Sequence, residues 1–502
     1  MKTMRRFRTL LTALLLMAVT TTTCFAQQKR IKTIVTTDGE IDDVDTFIRM
    51  LLYSNEFDLE GLIYSSSMWH YSGDGLGTTF TSEMPMTKEL YGPLTALRWP
   101  GVNWMQELIL DYARVYDHLI LHDPNYPSPE KLMAMVRVGN IEFEGEMEKV
   151  TLGSEWIKNK LLQEDIDELF LQAWGGTNTI ARALKSIEEE YSASEEWETI
   201  YEAVSRKSVI YTIMDQDATY KNYIAQRWPN IRVYYNAAQF AAFAYPWKRV
   251  VPKNLQKYLE GSFMKPIITN SGQLLKKYYS YGDGQKQEGD EEHIHGDPTK
   301  LKNAQWGSFE KYDFISEGDT PAYLHLVDLG LDNYDHPWYG GWGGRFVPSQ
   351  EVAHKYEDGD AAADFNPETG VRDPMYPQTR WIAAIQNDFA ARAAWCVSDF
   401  EQANHAPKIS IQESPIQTVK RGAKVNIHFT STDVDGDAIT HKVWNYTDVS
   451  TADATVAFTN TEATIRVSKK AQSGSEIHLI VEGSDSGTPP LTSYRRVLFK
   501  VE

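Results

Sequence analysis

At 502 residues with 42% hydrophobic and 24% charged side chains, the chain is long enough for two or more domains, and its composition is that of a globular protein rather than a disordered one. A formal net charge of −19 disfavours phosphate backbones and anionic lipid headgroups as partners, so the sequence predicts no nucleic acid and no membrane partner. Neutral glycans and cations remain.

Residues 1–26, MKTMRRFRTLLTALLLMAVTTTTCFA, join a basic start to a short apolar middle and a small residue at Ala26. They read as a signal peptide cleaved after Ala26, which predicts a secreted or periplasmic protein; the apolar run is too short to span a bilayer. Cleavage removes four basic residues and takes the net charge to −23. TTTC lacks the residues of a lipobox, so Cys24 leaves with the signal and Cys396 stands alone, without an internal disulfide.

From Lys32 to about Tyr245, short apolar runs alternate with amphipathic stretches, which predicts an α/β fold with a mainly parallel sheet and helices on both faces. Strands are expected at Lys32–Thr36, Leu59–Tyr64, Leu169–Ala173, Val209–Met214 and Ile231–Tyr235, and helices at Val44–Tyr53, Asn178–Glu189 and Thr219–Arg227. Residues 246–380 are irregular and hold two Asp-rich loops and the stretch HPWYGGWGGRF. A helix-like segment, Thr379–Gln402, closes an α/β domain placed at 27–403; residues 404–408 form a linker, and 409–502 alternate as a smaller all-β sandwich of the Ig or cadherin-like type.

The segment TTDGEIDD (36–43) places Asp38, Glu40, Asp42 and Asp43 where a strand ends and a helix begins. The helix dipole accounts for Asp42 and Asp43 in a first turn, but not for Asp38 and Glu40 as well. Unit charges about 4 Å apart repel by roughly 4 kcal/mol at an effective dielectric near 20, so converging carboxylates call for a cation or a raised pKa. A hard, oxygen-seeking ion such as Ca²⁺ suits them.

VTTDGEIDDVDTFIRMLL resembles the amino-terminal signature of the nucleoside hydrolase superfamily, and more closely the secreted nucleoside-hydrolase-like proteins described as cellulose-binding. LQAWGGTNTIARAL (171–184) and EGDTPAYLHLV (317–327) resemble later segments of that superfamily, in the same order. The resemblance implies a Ca²⁺ site made by Asp38, Asp43, the Thr177 carbonyl and Asp319, with Asp42, Glu40 and Asn178 near the substrate. It departs from the superfamily's commoner form at Thr36, where an Asp is usual, and at Gly39-Glu40, where Pro-Gly is usual.

The function it implies is a calcium-dependent hydrolase in which Asp38 takes a proton from water attacking an anomeric carbon of a glycan, with inversion. A non-catalytic cellulose- or glycan-binding protein and a nucleoside N-ribohydrolase are the alternatives. His70 and His336 are candidate groups for the leaving-group side, or packing histidines. His293 and His295 in HIHGD read as a solvated loop rather than metal ligands. Trp338, Trp342 and Arg345 read either as a sugar-stacking lining at the rim of the acidic site or as an aromatic lid on the core. DVDGDA (Asp433, Asp435, Asp437) reads as an Asp/Gly turn rather than as a structural Ca²⁺ site.

Overall fold

Eight strands make one sheet in the computed structural model of the protein, which describes residues 30–290 and 294–502; the signal-peptide assignment and His293 fall outside these. The strands are β1 (Lys32–Thr37), β2 (Asp58–Tyr64), β3 (Val136–Val138), β4 (Leu169–Ala173), β5 (Ser208–Ile213), β6 (Arg232–Asn236), β7 (Val347–Pro348) and β8 (Lys355–Glu357), in the order β3-β2-β1-β4-β5-β6-β8-β7. Only β7 runs antiparallel to its neighbour. β3, β7 and β8, of two or three residues each, complete the sheet without any periodicity to announce them.

Successive residues of the central strands feed two cores, as a period of two requires. Val35, Phe170, Val209 and Tyr211 pack on one face with α1 (Ile41–Tyr53), α2 (Trp104–Ala113) and α6 (Ile382–Trp395). Ile34, Leu171, Ile210 and Val233 pack on the other with α3 (Leu152–Leu162), α4 (Asn178–Tyr191) and α5 (Trp197–Lys207). In α1, Val44, Phe47, Ile48, Leu51 and Leu52 recur at helical spacing and are all buried, so the helix is anchored on the sheet along its length. The helix expected over Thr219–Arg227 opens instead as a wider π-type turn, Tyr220–Ile224, before a short α-turn at Ala225–Arg227. Among the described residues no helix is long and apolar enough to cross a membrane.

After α6 the chain builds two four-stranded sheets around a core of Ile427, Phe429, Ile465, Leu479, Val497 and Phe499. All pairings in them are antiparallel except Ile416–Val419 beside Thr492–Val501. The sheet bearing Thr440–Asn445 and Glu476–Ser484 lies on the α/β body, where Tyr446, Ile480 and Tyr494 share the same apolar core as α1. Arg496, fully buried, donates to the carbonyls of Leu331 (2.7 Å) and Tyr339 (3.0 Å).

Candidate active site

The candidate site lies where β1, β2, β4 and β5 end. Thr37 pairs with Tyr64, Thr36 with Ala173, and Ala173 with Thr212, so the loops that follow these strands share one edge of the sheet, the place where ligands bind in such folds. β1 passes into α1 through Asp38, Gly39 and Glu40. Gly39 has φ +80°, and a Cβ there would sit 2.8 Å from Pro100 Cγ and Trp104 Nε1, so the tight exit from the strand demands glycine. From the loop after β4, Gly175 presses on Asp38 so closely that a Cβ would meet its carboxyl carbon at 2.7 Å.

Asp42 and Asp43 occupy the first turn of α1, and Asp319 enters from a segment that starts the short helix Thr320–Leu324. One oxygen from each of these three lies within 4.8 Å of the others. Asp43 accepts a hydrogen bond from the Thr37 hydroxyl, and Asp42 Oδ2 accepts one from Ser316 Oγ at 3.3 Å. Asp38, 1% exposed, stands beside them with Oδ2 4.0 Å from His70 Nδ1. Asp38 Oδ2 and Asp42 Oδ1 are buried without a hydrogen-bond partner. Among the described residues no Lys or Arg pairs with Asp38, Asp42, Asp43 or Asp319.

Burial, and then repulsion from Asp38, pushes the Asp42 carboxyl up to about 7. Burial, and then repulsion from neighbouring carboxylates, holds Glu40, Asp43 and Asp319 well above the carboxylate range. Oxygen donors alone, uncompensated charge and unpartnered buried oxygens together fit a hard divalent cation, and Ca²⁺ takes such a set readily.

His70, from the loop after β2, is fully buried with neither ring nitrogen hydrogen-bonded. Burial lowers its pKa to about 4 despite the opposing charge of Asp38, so the ring is neutral at pH 7. Its Nδ1 is also 4.0 Å from Glu40 Oε2. Glu40 Oε1 accepts a hydrogen bond from the Tyr245 hydroxyl at 2.9 Å, and Gln287 Nε2 donates to the Gly39 carbonyl.

The structure therefore gathers Asp38, Glu40, Asp42, Asp43, His70 and Asp319, but not every residue the sequence put with them. Oxygens of Asp42, Asp43 and Asp319 gather in one triplet, and Asp38, expected among the ligands, is buried beside them with Oδ2 unpartnered. The Thr177 carbonyl accepts the Ala181 amide of α4 at 2.9 Å, and its hydroxyl meets Thr219 Oγ1 at 2.6 Å. Asn178 spends its side-chain amide on Ser66 Oγ (2.9 Å) and the Asn140 carbonyl (3.0 Å). Both residues brace the start of α4.

Of the two readings of 336–346, the burial of Trp342 and Arg345 favours packing on the core. Trp342 is 2% exposed within the core, and Arg345 is buried against Asp364 at 2.6 Å, a carboxylate also held by Tyr446 of the sandwich. Trp338 stacks near Tyr356 of β8, and His336 lies against Tyr339 at 4.5 Å. The physical reason is the glycines: Gly343 passes so close to His325 that a Cβ would lie 2.5 Å from its Cα, which draws the aromatics onto the sheet. In DVDGDA, Asp433 Oδ1 accepts the amides of Asp435 (2.9 Å) and Asp437 (3.2 Å), the hydrogen bonds of an Asx turn, while oxygens of the three acids lie within 4.8 Å of one another. Ser316, Tyr245 and Gln287 were not foreseen. Ser316 stands three residues before Asp319 and was within reach of the motif, whereas Tyr245 and Gln287 arrive from irregular chain with no spacing to mark them.

A nucleoside-hydrolase-like α/β body followed by a β-sandwich is the class of protein that this sheet and its acidic edge define. The chain belongs to the family described as cellulose-binding Sde182, nucleoside hydrolase-like domain, whose model matches residues 32–346. Residues 425–501 match the model described as cellulose-binding protein Sde0182, C-terminal domain. A nucleoside hydrolase-related protein from Saccharophagus degradans, described as associated with carbohydrate metabolism, is 22% identical with a TM-score of 0.69, covering 94% of this chain and 100% of its own; it shares the fold. The effector XopQ complexed with adenosine diphosphate ribose (13% identity, 74% of this chain, 96% of its own, TM-score 0.36) and a plant nucleoside hydrolase (11% identity, 72% and 99%, TM-score 0.33) are likenesses too slight to bear on this chain. No curated protein matches it.

Proposed function

We propose that this is an exported, calcium-dependent hydrolase of glycosyl bonds that acts on a glycan or glycoconjugate, with the α/β body over 27–403 as its catalytic part. The observation that carries the reading is the uncompensated group of buried Asp38, Asp43 and Asp319 with half-buried Asp42, with unpartnered oxygens at the strand edge. Asp42, Asp43 and Asp319 would hold Ca²⁺, which supplies charge compensation and orients oxygen ligands when bound. Asp38, outside that triplet and pinned by Gly175, accepts the proton of the attacking water through Oδ2. The remaining carboxylates favour the positive charge that develops on the ring, and single-step attack inverts the anomeric centre as the glycosidic C–O bond breaks and the leaving oxygen takes a proton from solvent. His70, neutral at pH 7, and Glu40 bind substrate hydroxyls. Thr36 and Gly39-Glu40 set the site apart from the superfamily's commoner form, so inosine and uridine are expected to be poor substrates.

The experiment is sugar release from a glycan panel in the presence of Ca²⁺. Turnover that is lost in Asp38→Asn and on chelation supports the proposal; turnover that survives both contradicts it. The family's description as cellulose-binding favours a second reading, a non-catalytic glycan-binding protein. Calcium-dependent retention on insoluble glycan with no product at any time would select it.

A further inference from the structure

Two groups of partly exposed rings lie near the acidic turn. Tyr245, hydrogen-bonded to Glu40 at 2.9 Å, lies near-parallel to His295 (5.3 Å, 30°) and to Trp306 (6.4 Å, 19°). Arg98 holds its guanidinium 5.2 Å from the Tyr91 ring and 6.0 Å from the Trp69 ring, with Nε 4.0 Å from Asp290. Arg98 is also close enough to Glu40, His70 and His295 to bear on the charge of each. Its backbone sits at φ +43°, a conformation that costs a non-glycine residue on the order of 1–3 kcal/mol and gathers at functional sites.

These groups differ in chemistry from the acidic floor beneath them. Aromatic faces stack against the C–H faces of sugar rings, and the Arg98 guanidinium, which donates to the Tyr91 hydroxyl, adds a planar cation beside them. The floor, rich in carboxylates, repels an anionic sugar.

We infer that Trp69, Tyr91, Arg98, Tyr245, His295 and Trp306 form a second sugar subsite at the mouth of the acidic site, so that the ligand is a neutral glycan of at least two rings. The inference rests on the glycan reading above, and Tyr245 joins the two subsites through its bond to Glu40.

The test is calorimetric titration of the full chain carrying Asp38→Asn, in Ca²⁺, with glucose, xylose, galactose and N-acetylglucosamine and their β-linked di- and trisaccharides. At least one series is expected to gain about tenfold or more in affinity from the second ring, the worth of one good stacking contact. Trp306→Ala and Arg98→Ala, each checked for an unchanged melting temperature, are expected to reduce that gain about tenfold, and Arg98→Lys to restore only part of it. Affinity that does not grow with ring number in any series, or growth untouched by both alanine variants, overturns the subsite. So does tighter binding of inosine or uridine than of every oligosaccharide, because a stacked base would then be the occupant. Since binding is read in a variant with its proposed base removed, a length-dependent gain without turnover by the unsubstituted chain sinks the hydrolase and leaves the subsite standing.

Discussion

Asp42 gives the site its clearest pH signature. Its folded carboxyl titrates at about 7, against about 3.9 when unfolded, so between these values the folded chain binds more protons and the calcium-free protein loses stability as pH rises. Ca²⁺ binds the deprotonated carboxylates, so its stabilising effect grows over the same window. The gain in melting temperature on adding saturating Ca²⁺ is therefore expected to be larger at pH 8 than at pH 5. Burial lowers His70 and His295 to about 4 and His325 and His478 to about 3, which favours unfolding in acid with and without the ion and drops out of the difference. Gly175 tests the placement of Asp38. Gly175→Ala drives a methyl group into that carboxyl and is expected to cost about 1–3 kcal/mol of stability in urea, with a loss of turnover beyond what folding explains.

Helix α1 does more than present Asp42 and Asp43. Two turns further along, Arg49 forms a fully buried ion pair with Glu317 at 2.8 Å and donates to Gln386 Oε1 at 2.7 Å on α6. Glu317 also accepts from Thr320 Oγ1 at 2.8 Å and from the Tyr278 hydroxyl, which fixes the segment that delivers Ser316 and Asp319. Arg49→Met strands a buried carboxylate and is expected to cost about 3–5 kcal/mol in denaturant unfolding, much of it regained in Arg49→Met with Glu317→Met. Calcium affinity should fall about 10–100-fold in both, since the support of the segment is gone in each. The five long strands were legible to within one residue because each is a run of apolar residues between turn signals, and the acidic turn was legible because four carboxylates in six positions have no structural use. The three short edge strands and the Tyr245, Gln287 and Arg98 contacts were not, because they depend on distant pairing and on chain that follows no period. The Trp/Gly stretch was ambiguous for a different reason: a ring that stacks on sugar and a ring that packs on a core have the same composition.

Across the whole molecule, the second sheet of the sandwich is built into the core that also buries α1, through Tyr446, Ile480 and Tyr494. Calorimetry is expected to show one unfolding transition rather than two. Arg496→Met leaves the Leu331 and Tyr339 carbonyls without their donor and is expected to cost about 2–4 kcal/mol, with calcium affinity unchanged because the acidic site lies on another part of the body. The central claim is that Asp42, Asp43 and Asp319 together hold a calcium ion. Calorimetric titration of Ca²⁺ into the full chain and into Asp43→Asn tests it most directly, since any ion held elsewhere, at Asp433, Asp435 and Asp437 included, titrates equally in both. A site present in the unsubstituted chain and weakened about 100-fold or more in the variant, with near-ultraviolet circular dichroism unchanged, is the predicted result; identical isotherms for the two proteins would contradict it.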